Sequence, residues 1–87
     1  MNRTLMLKQP AVGNLIRDLR GVVGLTQEQF AAEVGVTYNT VNRWERGHMQ
    51  PSPLALKQID RILQETICSP SPHASDQIDG LVAKYEL

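Results

Sequence analysis

Val12, Leu15, Ile16, Leu19 and Val23 recur at the three- and four-residue spacing that lines one face of a helix, and Pro10 ahead of them suits a first helical turn. The pattern predicts a first helix ending near Gly24. Residues 1–9 carry no helix start signal and read as an N-terminal arm, with Leu5 and Leu7 available to pack on the domain. After Gly24 a second helix is signalled twice. Thr26 and Gln29 stand at capping-box spacing, and Leu25 and Phe30 stand as the two halves of a hydrophobic staple. Phe30, Ala31 and Val34 form its buried stripe, and Gly35 follows where a left-handed residue would end it.

The same devices then repeat. Thr37 is a good N-cap, eleven residues after Thr26, and Val36 stands to Val41 as Leu25 stands to Phe30. Val41 and Trp44 face inward and Gly47 supplies the next stop, which predicts a third helix over residues 38–46. Ser52 and Pro53 open a fourth as N-cap and first-turn residue. Leu56, Ile59, Ile62, Leu63 and Ile67 give that helix its apolar stripe, with Lys57, Asp60, Arg61 and Gln64 on the other face. Residues 69–72, Ser-Pro-Ser-Pro, break it and read as a linker. Beyond them Ile78, Leu81, Val82 and Tyr85 share one face of a short fifth helix, capped by Ser75 or Asp76 and weakened by Gly80 by roughly 1 kcal/mol relative to alanine. That stripe either docks on a partner or frays in water. The expected fold is an all-α, compact four- to five-helix bundle, divided into an arm (1–9), a domain (10–67) and a linker with a short C-terminal helix (68–87).

A helix, a turn of about three residues containing glycine, and a second short helix form a helix-turn-helix, in which the first helix braces the second so that one face projects. With Val41 and Trp44 inward, Asn39, Asn42, Arg43 and Arg46 fall on a single outward stripe at i, i+3, i+4 and i+7. Alone, such a stripe is what a solvated face looks like. Two caps in register around a glycine turn make it a presented surface. Asparagine can pair with adenine through N6 and N7, and arginine can fork onto guanine O6 and N7. Gln27 and Thr37 begin the two helices, where free backbone N–H groups can meet phosphates. Tyr38 either touches a thymine methyl or shields the helix end.

Charge changes the picture in one respect. Nine basic residues balance nine acidic ones, so attraction to a polyanion cannot come from net charge and a nucleic-acid reading rests on placed groups. Residues 1–67 hold eight basic and six acidic side chains, and residues 68–87 hold one and three. At 87 residues the chain makes one domain with a modest core and no room for an enclosed substrate cavity, and no Ser, Cys or carboxylate pair stands in a catalytic pattern, so no enzyme is expected. His48 and His73 lie far apart without neighbouring ligands, and Cys68 is the single cysteine, so neither a metal, a cofactor nor a disulfide is expected. The lone thiol and the short Leu5–Leu7 apolar run, too small for a signal peptide core, point to a cytoplasmic protein with no membrane partner.

Residues 25–47, LTQEQFAAEVGVTYNTVNRWERG, resemble the helix-turn-helix of the Xre family, which includes the phage repressor and Cro-type proteins. The resemblance covers about residues 12–64, with Gln27, Ala31, Gly35, Val36, Val41, Trp44, Glu45 and Gly47 on the family pattern. It implies sequence-specific binding of double-stranded DNA in transcription regulation, with residues 38–46 as recognition helix. By the same resemblance Gln27 would contact phosphate, Tyr38, Asn39, Asn42 and Arg43 would meet bases, and Thr37, Thr40 and Arg46 would meet backbone or base edges. Arg20 would pair with Glu45 as a structural bridge. Tyr38 stands where the family often has glutamine or serine. A single long helix follows the motif, which is similar to the short Xre proteins found as antitoxins or stand-alone regulators. Because one such helix reads only a few base pairs, a homodimer on an inverted-repeat operator is expected, with half-sites about one turn apart. The competing expectation is an antitoxin that binds a toxin protein and autoregulates its operon, with the tail as the toxin-binding part.

Overall fold

Each amphipathic stripe finds its partner in the computed structural model, which describes residues 3–68 and 72–87, with backbone alone for 72–75. A 3-10 turn, Arg3–Met6, precedes five helices: α1 (Ala11–Val23), α2 (Gln27–Val34), α3 (Tyr38–Glu45), α4 (Pro53–Cys68) and α5 (Pro72–Tyr85). Helix α1 sits at the centre, packed on α3, α4 and α5, while α2 packs on α3 and α4. Val12, Leu15, Ile16 and Leu19 of α1 are fully buried, as are Phe30, Val41, Ile59 and Leu63 from three other helices. Two predicted stripe residues fall outside this core. Val23 is only half-buried at the end of α1, and Ile67 is 39% exposed beside an open cleft at the end of α4.

The caps form as their residues dictate. Thr26 and Gln29 make both bonds of the capping box, at 3.1 Å onto the Thr26 hydroxyl and 2.9 Å from the Thr26 N–H. Ser52 Oγ accepts from Ala55 N at 3.1 Å to start α4. Helix α3 is one residue shorter than expected, since Glu45 is its last helical residue and Arg46 caps it.

Residues 3–9 have little periodicity, yet they are held. Thr4 is fully buried against α4, and Leu7 packs on the core. Gln9 N–H donates to Gln50 Oε1 at 3.0 Å, and Gln50 Nε2 donates to Leu7 O at 2.9 Å. The Gln9 amide joins two helix ends. Its Nε2 donates to Trp44 O at 2.8 Å and Met49 O at 2.7 Å, and its Oε1 accepts from Gly13 N at 3.1 Å. A first-turn N–H of α1, and a C=O at the end of α3 that also accepts from Gly47 N, are thereby bridged by a single side chain. Gly13 makes this approach feasible, because a Cβ there would collide with the Trp44 carbonyl and lie 2.8 Å from Gln9 Oε1.

Helix α5 corrects an expectation. Its stripe neither frays nor waits for a partner: Ile78, Leu81 and Tyr85 are buried on α1 and α4, with Val82 half-buried. The helix opens at Pro72, ahead of the expected cap at Ser75 or Asp76. Of the expected linker, residues 69–71 lie outside the described residues. Burying Ile78 and Leu81 is worth about 1.5–3 kcal/mol each, which exceeds the roughly 1 kcal/mol that Gly80 costs the helix. A polar latch completes the contact. Tyr85 Oη donates to Asp18 Oδ2 at 2.6 Å, and Lys84 Nζ lies 3.0 Å from the same oxygen. Burial pushes the Asp18 carboxyl up, but the hydrogen bonds from Tyr85 and Lys84, with the charges of Lys84 and Arg17, outweigh it and hold the group below its ordinary value.

The buried charge of the fold is Glu45, whose side chain is 1% exposed. Arg20 grips it with both arms of its guanidinium, Nε to Oε2 at 2.9 Å and Nη2 to Oε1 at 3.2 Å. Arg17 Nε adds a second cation 3.6 Å from Oε1, and its Nη2 donates to Glu45 O at 3.3 Å. The implied Arg20–Glu45 bridge is present, and Arg17 joins it.

Arg20→Ala strips the closest partner from a buried carboxylate and should cost about 3 kcal/mol, at roughly 4–8 °C of melting temperature per kcal/mol in a domain of this size. Arg17, exposed over more than half its side chain, should cost under about 1 kcal/mol. Thermal melts showing equal losses would contradict this ranking. Because the folded carboxyl of Asp18 titrates below its unfolded value of 3.8, its stabilisation is complete above that pH and is lost as pH falls through the lowered value. Melts between pH 5 and 2 should therefore show an acid-dependent loss that Asp18→Asn reduces, and an unchanged loss would count against the latch.

Candidate nucleic-acid interface

The site is a helix end held outward, so its geometry begins with the turn. Val36 N–H reaches back to Ala31 O at 2.9 Å around Gly35, whose φ of 86° places it in the left-handed region that side chains resist. Thr37 then caps α3, its hydroxyl accepting from Thr40 N at 3.3 Å and meeting the Thr40 hydroxyl at 2.9 Å. Val36 is half-buried against the core, and Val41 and Trp44 anchor the inner face of α3.

The eight sequence-predicted residues divide in three ways. Tyr38, Asn39, Arg43 and Arg46 are exposed on the outer side of α3, and Tyr38 is 47% exposed. Among the described residues neither arginine side chain is in an ion pair. Thr37 and Thr40 spend their hydroxyls on the cap, which still leaves one O–H of the pair for an outside acceptor. Gln27 and Asn42 are half-buried and joined to each other: Asn42 Nδ2 lies 3.4 Å from Gln27 Oε1, and Gln27 Nε2 lies 3.2 Å from Glu45 Oε1. Their spacing in sequence gave no sign of that pairing. One Nε2 hydrogen of Gln27 remains for a phosphate.

The electrostatics follow from where the acid goes. Glu45 is the single carboxylate of α3, and it points into the core against Arg20 and Arg17. The outward face of α3 is left with Arg43 and Arg46 and no acid of its own. A chain with balanced charge thus carries a locally basic surface. The helix N-terminus adds partial positive charge next to Tyr38 and Asn39. Eight residues at 1.5 Å rise make a rod about 12 Å long, comparable to the width of a DNA major groove.

The sequence reading missed Gln9, Arg17 and Gln50, all of which hold α3 or the loop after it. Gly13 was the available signal, a glycine inside an apolar helical stripe where a close backbone approach is the usual reason. Two clefts lie elsewhere. One is lined by Arg3, Leu63 and Val82 among others and another by Leu5, Lys8 and Leu56, and neither includes a residue of α2 or α3. Among the described residues no group of His, Cys, Asp and Glu is arranged to hold a metal ion, and no helix is long and apolar enough to cross a membrane.

The sequence is similar to those of known proteins. A protein-family model, HTH_3 (helix-turn-helix), matches residues 16–68. The chain is also 45% identical over 49 residues to an uncharacterized HTH-type transcriptional regulator of Methanothermobacter thermautotrophicus, an alignment that spans 56% of this chain and 71% of that protein. No solved structure matches the chain significantly. The matched residues carry α2, the turn and α3 whole, together with the part of α1 that supplies Arg17 and Arg20, and on that match the chain belongs to the Xre-type HTH_3 family of helix-turn-helix DNA-binding domains.

Proposed function

We propose that this domain is a transcriptional regulator that binds duplex DNA sequence-specifically by laying α3 in the major groove. The observation that carries the reading is the inward turn of Glu45, which leaves Arg43 and Arg46 on an exposed helix face free of carboxylates. Tyr38, Asn39, Asn42 and Arg43 meet base edges. Gln27, Thr37 and Thr40 sit where phosphates approach the two helix N-termini, and Arg46 reaches backbone or the last base pair. The name of the archaeal relative, an HTH-type transcriptional regulator, supports the same role.

An eight-residue helix reaches few base pairs, so specificity comes from two copies on an inverted repeat with half-sites about one turn apart. With no excess of positive charge, binding rests on placed hydrogen bonds more than on bulk attraction. The antitoxin reading came from the likeness of the helix after the motif to short Xre proteins, with the tail as its toxin-binding part, and the apolar stripe of that tail is buried in the chain's own core. No observation favours that reading over the first.

Selection from a randomised duplex library should enrich an inverted repeat. Arg43→Ala should relax preference at one base pair of each half-site by about 1–3 kcal/mol while leaving the melting temperature near that of the parent, because the side chain is exposed. A library that returns no enriched site would defeat the proposal, and equal losses at every position would remove Arg43 from base reading.

A further inference from the structure

The polar groups on α3 are not independent. A carboxylate has only acceptors to offer, so the Gln27 amide beside it must turn its nitrogen toward Glu45, and the observed 3.2 Å contact is Nε2 to Oε1. The two ends of a side-chain amide are told apart by their hydrogen-bond partners, and here the neighbouring carboxylate decides the matter. With its nitrogen facing Glu45, Gln27 aims its Oε1 at α3. That oxygen accepts from Asn42 Nδ2 at 3.4 Å. Asn42 therefore has its nitrogen turned back toward α2, and its Oδ1 is the end left for the groove.

We infer that Glu45, acting through Gln27, orients Asn42 so that it presents a carbonyl oxygen to the major groove and selects a base bearing an exocyclic amino group. Adenine N6 and cytosine N4 are the donors on the major-groove edge, whereas guanine O6 and thymine O4 would face the Asn42 oxygen with a second acceptor. Gln27 is a positioning residue in this scheme, and the buried carboxylate that braces the fold also sets one letter of the site. Arg20 and Arg17 take part by holding Glu45 in place. The inference rests on the proposed reading of DNA by α3.

Duplex selection with the full chain, its Asn42→Ala variant and its Gln27→Ala variant tests it. Asn42→Ala identifies the position concerned as the one where preference vanishes. There the parent should favour adenine or cytosine on the contacted strand over guanine or thymine by about tenfold, and Gln27→Ala should shrink that ratio to under about threefold, whatever it does to total affinity. Gln27→Met, which keeps the length of the side chain without its amide, should behave alike and serves if the alanine variant is poorly folded. A ratio that survives both Gln27 substitutions, a parent that favours guanine or thymine, or an Asn42→Ala variant with unaltered preferences would each overturn the inference. A phosphate-contacting role alone would weaken all duplexes equally and leave the ratio intact. The side-chain amide spectrum of the free protein separates this proposal from the reading it rests on. The Asn42 Nδ2 hydrogens should exchange more slowly in the parent than in Gln27→Met, and equal rates would overturn the relay whether or not any duplex is bound.

Discussion

A carboxylate taken out of water costs several kcal/mol unless charges and hydrogen bonds replace its hydration, and Glu45 has its side chain 1% exposed. Its replacements come from two other helices: Arg20 and Arg17 on α1 and Gln27 at the start of α2. Arg20, which holds both carboxylate oxygens, cannot move away without leaving the charge largely uncompensated. The end of α3 is thereby fixed against both helices that brace it, and an eight-residue helix that would be unstable alone becomes a rigid projection. The direction in which Glu45 points has a second effect, because it removes the one acid of α3 from the outer surface.

The rest of the chain supports that arrangement from the sides. Gln9 joins the start of α1 to the end of α3 through Gly13 N and Trp44 O, and it works only because position 13 lacks a side chain. Helix α5 covers the opposite flank of α1, with Tyr85 and Lys84 meeting Asp18, which stands between the two arginines that hold Glu45. Helix α1 is thus the shared beam, gripped at its start by Gln9, on one side by α5 and on another by α3.

Features whose chemistry is local were legible in the sequence. The Thr26–Gln29 box, the Thr37 and Ser52 caps and the glycine stops need partners only a few residues away, and the helical stripes follow from periodicity. The outer face of α3 could be assigned by subtraction once Val41 and Trp44 were placed inside. Contacts between distant polar side chains leave no such pattern. Gln9 and Gln50 are 41 residues apart, Arg17 and Glu45 are 28 apart, and Gln27 and Asn42 are 15 apart. The anchoring of the arm through Thr4 and the docking of the tail went unseen for the same reason. Thr4 is a small polar residue whose burial no apolar count predicts, and the stripe of α5 looked unpartnered because its partner, the flank of α1, lies more than 60 residues away, as the 67-residue separation of Tyr85 and Asp18 shows.

The central claim is that the outer face of α3, held by Glu45, is the surface that meets DNA. Mapping backbone amide shifts while a selected duplex is added measures this most directly. The account predicts that changes concentrate at Gln27 and from Thr37 to Arg46, with α5 unaffected. Changes centred on α4 and α5, with α3 silent, would contradict it.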